Sequence, residues 1–145
     1  MIPLLSKERV TVFKRIHHVA FAVSDLDMAV ANYERILGVK VAERGAVPSR
    51  GAEVAIFKVG NTNLELAAPT DKEGSLQRYI DEHGEGFFHI AFAVDDVDES
   101  CREMERTGIR MMGSPYVAYK DWRIAYLDPA ETGGTYIHII DDKAD

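Results

Sequence analysis

His18-Val-Ala-Phe-Ala-Val-Ser-Asp-Leu-Asp27 and His89-Ile-Ala-Phe-Ala-Val-Asp-Asp-Val-Asp98 are two copies of one segment. Seven of the ten positions are identical, and two of the other three are exchanges of similar apolar residues. The copies lie 71 residues apart in a chain of 145, about half its length. A duplication on that scale dictates the fold reading, because each copy must build the same supersecondary unit. Each copy also opens with a histidine.

The alternation inside the segment reads as a strand over residues 16–23. Val19, Phe21 and Val23 form a bulky face suited to pack on a helix. His18, Ala20 and Ala22 form the other, where the alanines leave room beside the imidazole. Asp25 or Asp27 can cap a helix running to about Leu37, with Val30, Tyr33 and Leu37 at helical spacing and Gly38 as its stop. Further strands are expected at 39–43, 53–59 and 63–67, with a turn-rich stretch over 45–51 and a hairpin turn at Gly60-Asn61. The first module is therefore β-α-β-β-β and spans 15–68. A connector follows at 69–86, with a short helix over 75–83. The second module, 87–141, repeats the pattern: a strand at 88–94, a helix opened by Asp96 or Asp98 and stopped by Gly108, and strands at 109–112, 123–127 and 135–140. Residues 116–120 read as a turn region.

The module ends match as well. Gly60-Asn-Thr-Asn-Leu-Glu65-Leu aligns with Gly133-Gly-Thr-Tyr-Ile-His138-Ile, so Glu65 and His138 are equivalent positions on the last strand of each copy. His18, Glu65, His89 and His138 thus form two related pairs on strand interiors. Imidazole and carboxylate suit a borderline divalent ion: Zn, Fe, Co, Ni or Mn. A buried strand histidine is often only a hydrogen-bonded core residue, but that coincidence would have to repeat inside a duplication for His18 and His89. Glu65, between Leu64 and Leu66, is either solvent-facing or metal-bound, since a lone buried charge is costly. His17 falls on the opposite face and reads as structural; His83, in the polar connector, reads as solvated. Arg50, Lys58, Lys120 and Arg123 can neutralise a substrate carboxylate or phosphate, but each reads as a solvated surface charge. Tyr116, Tyr119, Trp122, Tyr126 and Tyr136 suit a pocket wall, core packing or a subunit interface alike.

Composition narrows the function classes. The net charge of −7 and pI near 5.2 argue against a nucleic-acid phosphate track or an anionic membrane surface. The apolar run Ile2–Leu5 is too short for a secretory signal core, and no stretch is long enough to span a membrane. Cys101 is the single cysteine, so no internal disulfide forms and a reducing, cytoplasmic setting is expected. An apolar fraction of 46% over 145 residues supports one domain, residues 1–145, with a sizeable core.

Paired β-α-β-β-β modules carrying His, Glu, His and a fourth ligand resemble the vicinal oxygen chelate superfamily, which includes glyoxalase I, extradiol dioxygenases and fosfomycin-resistance proteins. Within it the chain looks most like the methylmalonyl-CoA epimerases. The resemblance is carried by Ile16–Leu26, Gly38-Val-Lys-Val41, Asn63-Leu-Glu-Leu-Ala-Ala-Pro69, residues 84–96 and Thr132-Gly-Gly134, and extends over 15–141. It implies an α+β fold in which both modules contribute to a curved mixed sheet, a half-barrel around a metal cleft. It implies one divalent ion held by His18, Glu65, His89 and His138, a small anionic substrate such as an acyl-CoA, proton transfer through a metal-stabilised enolate, and a homodimer. Three departures stand out. His138 replaces a usual Glu. Ser49, in Val47-Pro-Ser-Arg-Gly51, replaces the Glu that serves these epimerases as a base. Asp128-Pro-Ala130 replaces a common His-Pro-Lys. With the loop base absent, Glu65 and His138 become the candidate catalytic groups. The alternatives are another reaction of the same superfamily, as a glyoxalase-like lyase or Fe(II) dioxygenase, or a non-catalytic small-molecule-binding resistance protein.

Overall fold

A computed structural model describes residues 11–143, so the Ile2–Leu5 run lies outside the described residues. The strands are β1 Arg15–Ala22, β2 Glu43–Val47, β3 Ala52–Val59, β4 Thr62–Pro69, β5 Gly86–Val94, β6 Met111–Tyr119, β7 Trp122–Leu127 and β8 Tyr136–Asp141. The helices are α1 Leu26–Leu37, α2 Ser75–His83 and α3 Val97–Arg106. The order is β-α-β-β-β twice, with α2 in the connector, as the duplication requires. None of these helices is long and apolar enough to cross a membrane.

The chain divides into two compact units. One is His18–His89; the described residues on either side of it make the other. β1 passes from one unit to the other between His17 and His18, and β5 between His89 and Ile90.

In the unit His18–His89 the strands are hydrogen-bonded in the order β2-β3-β4-β1. β2, β3 and β4 are antiparallel neighbours, while β1 runs parallel to β4. Asp25 starts α1 by accepting a hydrogen bond from the Met28 amide at 3.0 Å, and Gly38 ends it in the left-handed conformation. The buried stripe of α1, Leu26, Ala29 and Val30, packs with Phe57 and Leu66 of the sheet, and Phe21 and Tyr33 join from the edge. The bulky face of β1 therefore meets the helix as expected. Each fully buried large side chain in this cluster contributes roughly 1.5–3 kcal/mol.

The other unit repeats the scheme with β5-β8-β7-β6. Asp96 caps α3 as Asp25 caps α1, accepting from the Glu99 amide at 2.9 Å. Val97, Cys101 and Met104 bury against Ala125 and Ile139. Its helix ends at Arg106, with the Thr107 hydroxyl donating to the Met104 carbonyl.

Two strand expectations need correction. β2 occupies Glu43–Val47, not 39–43, although it includes Gly45. Five residue pairs with β3, from Glu43–Ile56 to Val47–Ala52, outweigh the weak strand propensity of that stretch. Val41 instead packs against the helix cluster, and the Glu34 carboxylate holds its amide at 2.9 Å. β6 runs on through 116–119, where a turn was expected. Its register against β7 shifts between Met112 and Tyr116, which absorbs Gly113-Ser-Pro115 as an irregularity without ending the strand.

Candidate metal centre

Strand register decides which side chains meet. β1 and β4 pair with Ala20 opposite Glu65 and His18 opposite Asn63. Side chains two apart share a face, so His18, Ala20 and Glu65 point the same way. Ala20 is small and fully buried, and leaves Glu65 room to reach diagonally toward His18. His18 Nε2 lies 3.5 Å from Glu65 Oε1 and 3.1 Å from His89 Nε2. The rings of His18 and His89 meet edge to face at 5.1 Å. His18, Glu65 and His89 are at most 3% exposed. Three of the four expected ligands are thus gathered within the unit His18–His89.

His138 belongs to the other unit. It is buried on β8 opposite Tyr126 of β7, and the Tyr126 ring lies 4.7 Å from its own. Tyr136 in turn meets Tyr126 edge to face. His17 is buried against Trp122, its ring at 4.7 Å and nearly perpendicular, in keeping with a structural role. His83 is exposed and stacks on Tyr79.

The expectation for Arg50 is overturned. It is 7% exposed, and its Nη1 lies 3.4 Å from Glu65 Oε2. Its guanidinium sits 5.6 Å over the Phe88 ring, a cation–π arrangement. Tyr79 of α2 steadies Phe88 by ring contact and donates its hydroxyl to the Phe87 carbonyl at 3.0 Å. The cause lies in the short 3₁₀ turn Pro48–Arg50, which closes on Gly51 with a φ of 61°. Gly51 and Gly74 let the turn press against residues 70–74: a Cβ on Gly51 would stand 2.8 Å from Asp71 Cβ. The Gly51 carbonyl accepts from the amides of Thr70 and Asp71. This clamp turns Arg50 inward and leaves Ser49 exposed. Arg123 is also engaged, through two hydrogen bonds to Asp98 at 2.7 and 2.8 Å, while Lys58 and Lys120 are exposed as expected.

Burial pushes the Glu65 carboxyl above the usual carboxylate range, and Arg50 offsets part of that rise. A bound cation would favour the ionised form further. The pairs His18–His89 and His18–Glu65 are each spaced to suit such a cation. Two ligand atoms each about 2.1 Å from one ion stand about 3.0 Å apart at a right angle and about 3.4 Å apart at the tetrahedral angle. Around His18 Nε2, the 3.1 Å to His89 falls in that range and the 3.5 Å to Glu65 lies just beyond its upper end. Two imidazoles and a carboxylate are ligands for a borderline divalent ion.

Residues 17–126 match the Glyoxalase/Bleomycin resistance protein/Dioxygenase superfamily. Human mitochondrial methylmalonyl-CoA epimerase is 28% identical over 127 residues, 86% of this chain and 72% of that protein. The crystal structure of methylmalonyl-CoA epimerase from Mycobacterium tuberculosis superposes with a TM-score of 0.87 at 25% identity, covering 94% of this chain and 93% of that one. A methylmalonyl-CoA epimerase in complex with methylmalonyl-CoA and ammonium gives 0.85 at 27% identity, covering 92% and 97%. These relatives are enzymes, and they share the α+β fold expected from the duplication. The chain belongs to the Glyoxalase/Bleomycin resistance protein/Dioxygenase superfamily.

Proposed function

We propose that this protein is a divalent-metal-dependent epimerase that acts on an acyl-CoA of the methylmalonyl type. The buried His18–Glu65–His89 donor set carries the reading. His138 is proposed as the fourth ligand, because the duplication equates its position with Glu65. The epimerase relatives, one of them in complex with methylmalonyl-CoA, support the substrate class. A bound divalent ion (Co, Zn, Mn, Ni or Fe) would supply Lewis-acid polarisation of the thioester carbonyl and a counter-charge for the carboxylate.

Epimerisation removes the proton at the carbon between thioester and carboxylate and returns one to the opposite face. Ser49 is exposed and has no carboxylate to offer as base. Glu65 and His138 are therefore assigned as the candidate proton-transferring groups, each able to take a proton only while its donor atom is off the ion. Glu65 is held by Arg50 and shielded from bulk water, which fixes its carboxylate in orientation. His138 offers an imidazole whose ring is packed by Tyr126. The single cysteine is buried, which suits a reducing cytoplasm, and superfamily analogy favours a homodimer.

The test is incubation of Co-loaded protein with methylmalonyl-CoA in D2O. Deuterium should appear at the α-carbon, and chelation should abolish the exchange. Exchange no faster than in the metal-free control refutes the assignment. A two-histidine, one-carboxylate set also suits Fe(II) oxygen chemistry. Catechol-dependent oxygen uptake by Fe-loaded protein would favour that second reading.

A further inference from the structure

We propose that Arg50 is a positioning residue that sets the charge of the site, so that it selects ligands carrying two negative charges. The inference rests on the metal reading above and adds to it. Arg50 is held within the same unit as His18, Glu65 and His89, with Nη1 at 3.4 Å from Glu65 Oε2 and the guanidinium over Phe88. Phe88 itself borders His89, ring centroids 4.9 Å apart. The turn that carries Arg50 is clamped, since a Cβ on Gly74 would come within 2.9 Å of the Arg50 carbonyl oxygen. An arginine in such a place stays protonated at any working pH.

The charge count then changes. A divalent ion, one carboxylate and neutral imidazoles leave one positive charge. Arg50 adds a second. A thioester bearing one free carboxylate carries a single negative charge. Loss of the α-proton places a second on the carbonyl oxygen. The site with Arg50 therefore balances the deprotonated ligand better than the ground state, which is the condition for lowering the barrier to proton loss.

Two probes with the same chelating reach separate charge from shape: malonate, a dianion, and malonamate, a monoanion. Their binding to Co-loaded protein is followed by the visible Co(II) spectrum and by calorimetry, for the unmodified chain, Arg50→Gln and Arg50→Lys. Arg50→Gln should weaken malonate at least tenfold and leave malonamate within threefold. It should also tighten Co(II) itself several-fold, because a like charge has been removed. Arg50→Lys, which keeps the charge without the fork, should retain most of the preference for malonate. Equal weakening of both probes, or none, overturns the proposal while leaving the metal reading intact. Failure of the unmodified protein to take up Co(II) overturns both. Circular dichroism of each variant separates loss of fold from loss of charge.

Discussion

Arg50 and Glu65 should be strongly coupled in stability, and a double-mutant cycle can measure it. Two unit charges 3.4 Å apart attract by about 5 kcal/mol at an effective dielectric constant of 20. Removing one partner of a buried pair forfeits that attraction and strands the other charge, at about 3–5 kcal/mol. Both side chains are under 10% exposed, so little of the loss is recovered by hydration. Arg50→Leu and Glu65→Leu should each destabilise the metal-free protein by about 3 kcal/mol, whereas the double variant should lose only about 0–2 kcal/mol. With a urea slope near 2 kcal/mol/M, each single variant moves the midpoint down by about 1.5 M. Chelator is kept in the buffer so that ligand loss does not enter. Trp122, the single tryptophan and buried, reports unfolding by fluorescence, with far-UV circular dichroism as the second probe. Additive losses, with coupling below about 0.5 kcal/mol, would mean the two charges do not hold each other.

Three further outcomes follow from the same structure. Gly51→Ala should cost about 2–4 kcal/mol in urea unfolding, because its φ of 61° and its approach to Asp71 both exclude a Cβ; Gly60→Ala, with a similar φ of 63° but open space around it, should cost less. The Cys101 thiol is pushed up to about 11, chiefly by burial, so reaction with a disulfide reagent at pH 8 should be slow in the native protein and fast in urea. The Asp98 carboxyl is held below its ordinary value mainly by the hydrogen bonds from Arg123. Its folded pKa lies below the unfolded one, so its contribution is present above the unfolded pKa and lost as pH falls through the folded one. Asp98→Asn should therefore lower stability at neutral pH and flatten the acid limb below about pH 4, so that the variant and the unmodified chain converge in acid.

What was legible in the sequence was local or repeated. The caps at Asp25 and Asp96, the hairpin at Gly60-Asn61 and the faces of β1 all depend on neighbours within a few residues. Glu65 was legible as a candidate because the duplication set it beside His138 in register. What escaped depends on distant partners. β2 forms through pairing with residues five to thirteen positions further on, against its own propensity. β6 survives Gly113 and Pro115 because β7 supplies the pairing on both sides of the irregularity. Arg50 reads as a surface charge because nothing in Pro48-Ser-Arg-Gly51 says that residues 70–74 will press on it. The pairing of two glycines, Gly51 and Gly74, was the available signal, and it is visible only once the fold is known.

One feature of the unit His18–His89 bears on how it comes apart. Its first and last residues are the two imidazoles that face each other at 3.1 Å, across a sequence separation of 71. Anything that grips both rings ties off the segment like a purse-string. In the chain-entropy view, a tether closing a loop of that length removes about 4 kcal/mol of disorder from the unfolded ensemble. Occupancy at His18 and His89 would thus fasten half the polypeptide into a ring and govern how readily that half opens.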